Sequence, residues 1–493
     1  MAESISYTGL GLALLLPWIL GSLWVRILLD GSRGWNLATV LGHGYLLGVF
    51  ATTLLIRLWD LAGLGLSFAG LASVLLSLCL LGALVLRQRI LERPPGTPSS
   101  GHPEASWEKI IILLLLVLIG WRLYSVTHEA LIKPIYSLDA LMNWAPKAVT
   151  WFHLDELVDF VHPREWLVQS PETVHYTLGN YHAWSYPETV PLVQLWSMIS
   201  ANSWDHSLLY TPWVLVAFNL GLALYGHLRL AGASVLAASI STYLLLNLPF
   251  INVHTALPGY ADLWLASAFG MAIFALYQWE QRRDRGYALL FLFNAILCSQ
   301  LKLPGVVLCT ILLLAFVRTL LGASYTTELK ISAVLIAILA YGLIFGIHID
   351  LPGERAIALS ANALDLPLFG RFEFEYHAIS SAMLSTTLSA LNWNLTTYML
   401  LLLLATKIYN RDILLRPPSY LLAILGGLVF IVLVYYFTRH YLNALNFTAV
   451  NRALLSLVPA LIFYIGLNLS SALKQLDGAT PHCSSAADGD DAL

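Results

Sequence analysis

The sequence predicts an all-α polytopic membrane protein, with about 13 transmembrane helices, a large external loop after the fourth, and one flat interfacial helix. Hydrophobic residues make up 58% of the 493 residues and charged residues only 11%. The apolar residues fall in blocks of about 20, the length that crosses a bilayer core. This composition excludes a water-soluble enzyme and a disordered chain. The net charge of -3 leaves no basic excess, which excludes a nucleic-acid partner.

Apolar blocks separated by charged residues, Pro or Gly define the predicted spans. They lie at approximately 7–28, 35–56, 63–86, 109–126, 207–228, 232–250, 260–279, 286–302, 303–321, 330–350, 391–408, 419–438 and 452–470. The first block follows Glu3, with no Lys or Arg before it and no small-residue cleavage site. We therefore expect a retained helix and not a cleaved signal peptide.

The distribution of Lys and Arg predicts the orientation, because cationic loops stay on the cytoplasmic side. With the N-terminus outside and the C-terminus in the cytoplasm, most of the 26 Lys and Arg are cytoplasmic, including the cluster Arg282, Arg283 and Arg285. If a further apolar helix, 189–202, crossed the membrane, every later loop would change sides and that cluster would lie outside. The helix is therefore predicted to lie flat on the outer surface as an amphipathic interfacial helix.

This topology divides the chain into three parts. Residues 1–108 form an N-terminal three-span extension that ends in a Pro/Ser/Gly-rich cytoplasmic linker from Pro94 to Pro103. Residues 109–470 form the membrane core, and its external loop, 128–206, is the only stretch with the composition of a soluble enzyme. Residues 471–493 form a short acidic cytoplasmic tail, which is predicted to be disordered.

Four charged residues are predicted to face one another on the external side. Asp262, Lys302 and Arg452 lie at the outer ends of spans, where a charge is costly and therefore unusual. All three face the external loop, which contributes Asp139. Each residue alone could be a snorkelling or capping group. Two cations and two carboxylates at one membrane rim instead indicate a functional site.

The chemistry that fits these residues is transfer of a monosaccharide from a polyprenyl-phosphate donor. Lys302 and Arg452 would neutralise the leaving phosphate, while the lipid tail lies among the spans. Asp139 would take the proton from the acceptor hydroxyl, and direct displacement with this single base would invert the anomeric configuration. Asp139 could instead cap the helix through Ala148, and Asp262 could cap the helix that follows it.

Three segments resemble motifs of a known family. Segment 138–148, LDALMNWAPKA, resembles Asp-Ala-x-x-x-Trp-x-x-Lys-Ala; segment 185–192, SYPETVPL, resembles His/Asp-Tyr-Pro-x-x-x-Pro-Leu; and segment 451–460, NRALLSLVPA, resembles Arg-x-Leu-x-x-x-x-Pro. In this order and sidedness, they make the chain similar to the integral-membrane glycosyltransferases of the C-type fold. Within these, it resembles the bacterial family-39-like branch, which is related to protein O-mannosyltransferases and aminoarabinose transferases. The resemblance runs from about Trp121 to Phe463.

The resemblance implies a C-type core with Asp139 as the base and Asp262 orienting either the base or the acceptor. On this reading Lys147 is a further contact of the donor phosphate, beside Lys302 and Arg452. Contacts to the acceptor or sugar are assigned to Trp144, Tyr186, Glu188 and Tyr260. Lys147 could equally be a solvated interfacial cation, and the aromatic residues could form a membrane-interface belt. The segment Arg371 to His377 could be a lid over the substrate or a plain surface loop.

The sequence predicts no cofactor, and a divalent metal is possible but not required. Four loop histidines, His153, His162, His175 and His182, match no compact ligand motif. The four cysteines lie in spans or in the tail, so no disulfide is predicted.

The predicted partners are the polyprenyl-phosphate sugar donor, the lipid bilayer and an acceptor that could be a glycolipid, a polysaccharide or a protein. We expect an integral membrane protein of the bacterial inner membrane, with its active site on the external face. Two alternatives stay open. A secondary transporter would show internal repeats and mid-membrane polar residues, and the sequence has no convincing repeat. A ligase or polymerase of lipid-linked oligosaccharides would use the same external site with a preassembled chain.

Overall fold

A computed structural model shows an almost entirely helical chain, in agreement with the predicted class. It describes residues 5–32, 34–91, 106–168, 174–322, 325–351, 355–366, 370–410 and 417–479. Helices account for 76% of the structure. The predicted linker from Pro94 to Pro103 lies outside the described residues, as do residues 480–493 of the predicted tail; the part of that tail up to Ala479 continues the last helix.

The helices follow one another with short connections. They are α1 (Tyr7–Leu28), α2 (Leu37–Leu61), α3 (Phe68–Leu91), α4 (Ser106–Ile132), α5 (Ala145–Leu154), α6 (Pro163–Leu167), α7 (Thr189–Ala201), α8 (Thr211–Leu230), α9 (Val235–Leu246), α10 (Pro249–Ala256), α11 (Asp262–Arg282), α12 (Arg285–Leu301), α13 (Leu303–Leu321), α14 (Tyr325–Phe345), α15 (Ser380–Leu384), α16 (Thr396–Tyr409), α17 (Ser419–Phe437), α18 (Tyr441–Leu445), α19 (Val450–Leu455) and α20 (Val458–Ala479).

Eight helices in the described part of the chain are long and apolar enough to cross a membrane, which is consistent with an integral membrane protein. They are α1, α2, α3, α4, α8, α13, α14 and α17. The pair α9 and α10, bent by 57° at Asn247 and Leu248, makes a ninth if the two helices form one broken span. Each of the thirteen predicted spans overlaps at least one helix, but the count of thirteen itself stays a prediction.

The helical bundle has two ends, and one backbone or side-chain contact identifies each of them. At one, the backbone N–H of Ser6 donates to the carbonyl of Ala201 at 2.9 Å, which ties the start of α1 to the external loop. We call this the loop end. At the other, the hydroxyl of Tyr287 donates to the carbonyl of Gly34 at 2.7 Å. The Arg282, Arg283 and Arg285 cluster lies there, and we call this the basic end.

Helix α7, which was predicted to lie flat with one polar face, is buried on nearly all sides. Only Ile199 of its 13 residues is not buried, and the helix packs against α1, α2 and α5. A helix without a solvated face is a core helix, so the amphipathic part of the prediction is wrong. At 1.5 Å per residue it is about 20 Å long, which is too short to cross the membrane core.

A four-stranded antiparallel sheet at the loop end was not predicted. Its strands, β1 (Ile347–Leu351), β2 (Arg355–Leu359), β3 (Ala363–Leu366) and β4 (Gly370–Glu373), pair in chain order. The span predicted to reach residue 350 therefore ends earlier, at Phe345.

The segment Arg371 to His377 begins inside this sheet. Its first residues belong to β4, and the backbone N–H groups of Glu375 and His377 donate to the carbonyls of Phe437 and Tyr436 at 3.1 and 2.8 Å. The segment is therefore fastened to the end of α17 by backbone hydrogen bonds, and is not the plain surface loop that the sequence left open.

Candidate functional site

Asp139, Asp262, Lys302 and Arg452 meet at the loop end and form one hydrogen-bonded group, which we call the charge cluster. Lys302 Nζ donates to Asp262 Oδ1 at 2.6 Å. Arg452 donates to Asp262 Oδ2 through Nη2 at 2.7 Å and through Nε at 3.1 Å. Arg452 Nη2 also donates to Asp139 Oδ2. The structure thus brings together all four charges, although 313 positions separate Asp139 from Arg452.

Asp262 is the buried centre of the charge cluster. It is the first residue of α11, and its carboxylate accepts from Lys302 and Arg452. The N-cap position belongs to Ala261, so Asp262 is not the helix cap that the sequence left as an alternative. Its side chain is only 2% exposed. A buried carboxylate needs paired charges to remain ionised, and the two cations supply them.

The turn between α10 and α11 brings the Asp139 segment against the charge cluster. Gly259 has a φ of +100°, and a Cβ at this position would lie 2.5 Å from the Cβ of Ala140. Only glycine combines this backbone conformation with such a close approach. The indole of Trp213 fixes the next residue by donating to the Tyr260 carbonyl at 2.7 Å. The contact holds Asp139 within reach of Arg452.

Asp139 immediately precedes a π-helical turn, Ala140–Trp144, and its side chain makes no capping hydrogen bond. Both carboxylate oxygens instead accept from side chains, Oδ1 from Asn143 and Oδ2 from Arg452. The capping role that the sequence left open is therefore absent. Isolated π-helical turns are rare and occur frequently at functional sites.

Lys302 lies where two helices are broken apart. Its backbone is extended, with φ -160° and ψ 151°, between the end of α12 and the start of α13. Pro304 favours the start of α13, because a proline at the beginning of a helix loses no hydrogen bond. Gly305 packs so closely that a Cβ would lie 1.9 Å from the Cys298 carbonyl oxygen. This break directs the Lys302 side chain to Asp262.

Arg452 belongs to the short helix α19, and its guanidinium lies 4.9 Å from the centre of the Tyr260 ring. Its bonds to the two carboxylates use Nε and Nη2. Among the described residues, these bonds leave the two N–H groups of Nη1 available for another acceptor. The ammonium of Lys302, with three N–H donors, likewise has donors beyond its bond to Asp262.

Exposure separates the members of the charge cluster. The side chains of Asp139, Lys302 and Arg452 are 21%, 22% and 24% exposed, whereas that of Asp262 is 2% exposed. Asp139, Lys302 and Arg452 can therefore contact a ligand directly. Asp262 can affect a ligand only through the two cations that it holds. A partly exposed carboxylate beside two cations with unused donors can bind an anion and accept a proton in one place.

Two aromatic residues predicted as ligand contacts border the charge cluster. Tyr260 is half-buried beneath the guanidinium of Arg452. Tyr186, from the external loop, is also half-buried. Burial and the nearby charge of Asp139 raise the pKa of its phenol, so the hydroxyl remains a hydrogen-bond donor at neutral pH. Both side chains are placed to line a ligand site next to Asp139.

Three other predicted contacts lie elsewhere. Trp144 is fully buried and packs on Tyr186, with 5.3 Å between ring centres. Lys147 is 1% exposed, and its ammonium donates to the carbonyls of Trp184 and Tyr186 at 2.9 and 3.1 Å. Glu188 forms an ion pair with Arg57 at 3.5 Å. The structure therefore does not bring Lys147 or Glu188 into the charge cluster, and Trp144 offers no surface to a sugar.

The ammonium of Lys147 is not the solvated cation that the sequence left open, and it lies outside the charge cluster. Burial lowers its pKa to about 8, and the neighbouring Glu188 charge only partly opposes this effect. The two carbonyls that it contacts belong to the turn before α7. Lys147 therefore fastens the segment that carries Tyr186.

Sequence reasoning missed two asparagines, one that donates to the charge cluster and a second that donates to the first. Asn143 donates to Asp139, and Asn180 Nδ2 donates to Asn143 Oδ1 at 2.8 Å. The spacing of four residues between Asp139 and Asn143 is the one signal that could have found the first. Nothing in the sequence around Asn180 points to the second.

An apolar cavity within the described residues lies at the basic end, away from the charge cluster. It has a volume of about 560 Å³ and is bordered by α1, α2 and α3, with Trp18, Leu41 and Leu86 among its walls. Its lining is almost wholly apolar, apart from Arg26 at one edge. A chemical site needs converging polar groups, so the charge cluster remains the better candidate.

Within the described ranges, no group of three or more His, Cys, Asp and Glu side chains is placed to hold a metal ion. Comparisons with known proteins found no match to the chain among family models, curated proteins or solved structures.

Proposed function

We propose that the protein transfers a monosaccharide from a polyprenyl-phosphate donor to an acceptor on the external face of the membrane, with inversion at the anomeric carbon. The proposal includes a C-type glycosyltransferase core, to which the motif resemblance points. The observation that carries it is the charge cluster: one partly exposed carboxylate and two cations with unused donors, at the end of a bundle of membrane-length helices.

The reaction assigns one task to each exposed member of the charge cluster. The acceptor hydroxyl oxygen bonds to the anomeric carbon while its proton passes to the Asp139 carboxylate. The bond between the anomeric carbon and the phosphate oxygen breaks, and the electron pair stays on that oxygen. Polyprenyl phosphate leaves with a second negative charge, which Lys302 and Arg452 stabilise.

Asp262 supports the reaction without touching the substrates. Its buried carboxylate holds the Lys302 ammonium and the Arg452 guanidinium at 2.6 and 2.7 Å. Because positioned charges cost no reorganisation during the reaction, fixing two cations in advance strengthens their effect on the leaving phosphate. We therefore assign Asp262 a positioning role.

The proposed topology keeps thirteen spans. It adds α11, α12, α16 and α20 to the eight helices of membrane length and the bent pair. Most residues of α11 are buried, so this helix contacts protein on most of its surface and does not need an apolar exterior. The positive-inside distribution favours the basic end in the cytoplasm and the charge cluster outside, in a bacterial inner membrane.

The test is release of polyprenyl phosphate from a labelled polyprenyl-phosphate sugar by purified protein supplied with a panel of acceptors. Asp139→Asn should lower turnover by about 10²- to 10⁴-fold, the range for loss of a general base. Asp159→Asn is the matched control, because Asp159 is an exposed carboxylate of the same loop outside the charge cluster. Normal turnover by Asp139→Asn would remove Asp139 from the mechanism, and a transferred oligosaccharide chain would favour the ligase alternative.

A secondary transporter is the second candidate, and one group inside the bundle favours it. His43 Nε2 lies 2.8 Å from His227 Nε2, and His43 Nδ1 lies 3.2 Å from Asn294 Nδ2. All three side chains are buried, and ionisable residues inside spans often mark ion pathways. Gradient-driven solute uptake into sealed vesicles, without a covalent product and lost in His227→Phe, would support the transporter.

A further inference from the structure

We propose that Asn143 and Asn180 are positioning residues for Asp139, and that together they hold its carboxylate as a pure hydrogen-bond acceptor. This inference rests on the proposed function, in which Asp139 is the base. It concerns a chain of hydrogen bonds that begins at the backbone of the external loop and ends on the Asp139 carboxylate.

The chain has three links. The backbone N–H of His182 donates to Asn180 Oδ1 at 3.2 Å. Asn180 Nδ2 donates to Asn143 Oδ1 at 2.8 Å, and Asn143 Nδ2 donates to Asp139 Oδ1. Asn143 is only 3% exposed, so water competes little for its amide.

The first link fixes the direction of all the others. A backbone N–H can only donate, so the Asn180 oxygen faces His182 and the Asn180 NH₂ group faces Asn143. The Asn143 oxygen must then accept, and its NH₂ group is directed at Asp139. With Asn143 reversed, its oxygen would face the Asp139 carboxylate, and two acceptors would repel each other. The loop backbone thus determines which end of each amide meets Asp139.

The chain holds Asp139 from the side opposite Arg452. Asn143 occupies Oδ1 and Arg452 occupies Oδ2, so neither oxygen can rotate away without losing a bond. Each carboxylate oxygen can accept two hydrogen bonds, which leaves capacity for the acceptor hydroxyl. The segment that carries Asn180 also carries Tyr186, so one part of the loop supplies both the amide that orients Asn143 and this aromatic residue.

The division of the effect between kcat and KM measures this contact. The charged and polar groups facing Asp139 are Arg452 from α19, Lys302 between α12 and α13, Asp262 from α11, Tyr260 before α11, and Tyr186 from the loop. None of these is changed when the amide chain is cut. The proposed phosphate contacts Lys302 and Arg452 therefore stay in place, so loss of the chain misplaces the base and lowers kcat while donor binding is kept.

The experiment compares kcat and KM for polyprenyl-phosphate sugar turnover in the wild type, Asn180→Ala and Asn143→Ser. Asn180 is half-buried and does not touch Asp139, so Asn180→Ala is the variant that folds most readily. We expect kcat to fall by up to about 10²-fold in Asn143→Ser and by less in Asn180→Ala. In both, KM for the donor should stay near wild type.

Thr177→Val is the matched control, because it also removes a loop hydrogen bond, that of Thr177 Oγ1 to the Val161 carbonyl at 2.9 Å. Its kcat should not fall. A wild-type kcat in both asparagine variants, with Asp139→Asn inactive, would overturn the positioning role and leave the proposed function intact. Full activity of Asp139→Asn would overturn the assignment of the base and the positioning role with it.

Discussion

Asp139 and Asp262 have the same side chain and share Arg452, but their surroundings give them different tasks. Asp262 is buried between two cations, whereas Asp139 is partly exposed. The first therefore contributes to folding and to the placement of Lys302 and Arg452. The second is the carboxylate that an acceptor can reach.

Neutralising each aspartate should separate these tasks. Asp262→Asn removes the buried charge that Lys302 and Arg452 share, and loss of one member of a buried ion pair costs about 3–5 kcal/mol. We expect a large fall in the thermal-unfolding midpoint of the purified protein together with lost activity. Asp139→Asn should lose activity with a midpoint near the wild type. Equal midpoints for the two variants would contradict the assignment.

Lys147 gives a pH-dependent prediction that is independent of catalysis. Its folded pKa of about 8 lies below its ordinary value of 10.5, so between these pH values the unfolded chain binds more protons than the folded chain. The free energy of unfolding therefore rises as pH rises from about 8 to about 10.5, by on the order of 3 kcal/mol.

Lys147→Met should lack this rise, although it also leaves the carbonyls of Trp184 and Tyr186 without a donor. The measurement is the unfolding midpoint of both proteins at several pH values from 7 to 10.5. The difference between wild type and variant should grow with pH. Parallel curves would show that the ammonium is not buried as described.

The sequence predicted the residues of the charge cluster well and its amide partners poorly, for a physical reason. A charge at the end of an apolar span is rare because it is costly, so Asp262, Lys302 and Arg452 stood out. Amides such as Asn143 carry no charge and are common at helix ends. Their role depends on contacts across 37 positions, as between Asn143 and Asn180, which no local pattern contains.

At the scale of elements, the turn before α11 is the feature that positions Asp139. Gly259→Ala would place a methyl group 2.5 Å from Ala140 in a backbone conformation that disfavours side chains. We expect reduced turnover and a loss of stability of about 1–3 kcal/mol. The measurements are polyprenyl phosphate release and the unfolding midpoint.

Gly63→Ala is the control for this prediction. Gly63 also has a positive φ, of 70°, but nothing lies within 4 Å of the added Cβ. It therefore adds the backbone strain without the contact with Ala140. Equal losses of activity in the two variants would show that the approach of Ala140 to the turn does not position the base.

The strand β1 was not predicted, and helix α7 was given a polar face that it does not have. The residues of β1 continue the apolar run of α14, and a short apolar strand cannot be distinguished from the end of a helix by hydropathy alone. Helix α7 was laid flat, and therefore amphipathic, only because a crossing at this point would export the cluster Arg282, Arg283 and Arg285. Its Ser197 and Ser200 instead donate to carbonyls of their own helix, so they can be buried.

At the scale of the whole molecule, the predicted orientation places the loop end outside the cell and the basic end in the cytoplasm. Orientation in the membrane is tested by labelling cells with an impermeant maleimide, in a Cys483→Ser background. Glu156→Cys at the loop end should react in intact cells, and Arg285→Cys at the basic end only after permeabilisation; both residues are exposed. The reverse pattern would place the charge cluster in the cytoplasm.

The central claim is that the charge cluster binds the phosphate of a lipid-linked sugar. Its most direct test is an experimental structure of the protein with bound polyprenyl phosphate. We predict that phosphate oxygens lie within hydrogen-bond distance of Lys302 Nζ and the Arg452 guanidinium, next to an unoccupied Asp139 lone pair. A phosphate bound elsewhere, such as beside Arg26 at the apolar cavity of the basic end, with the charge cluster unoccupied, would contradict the account.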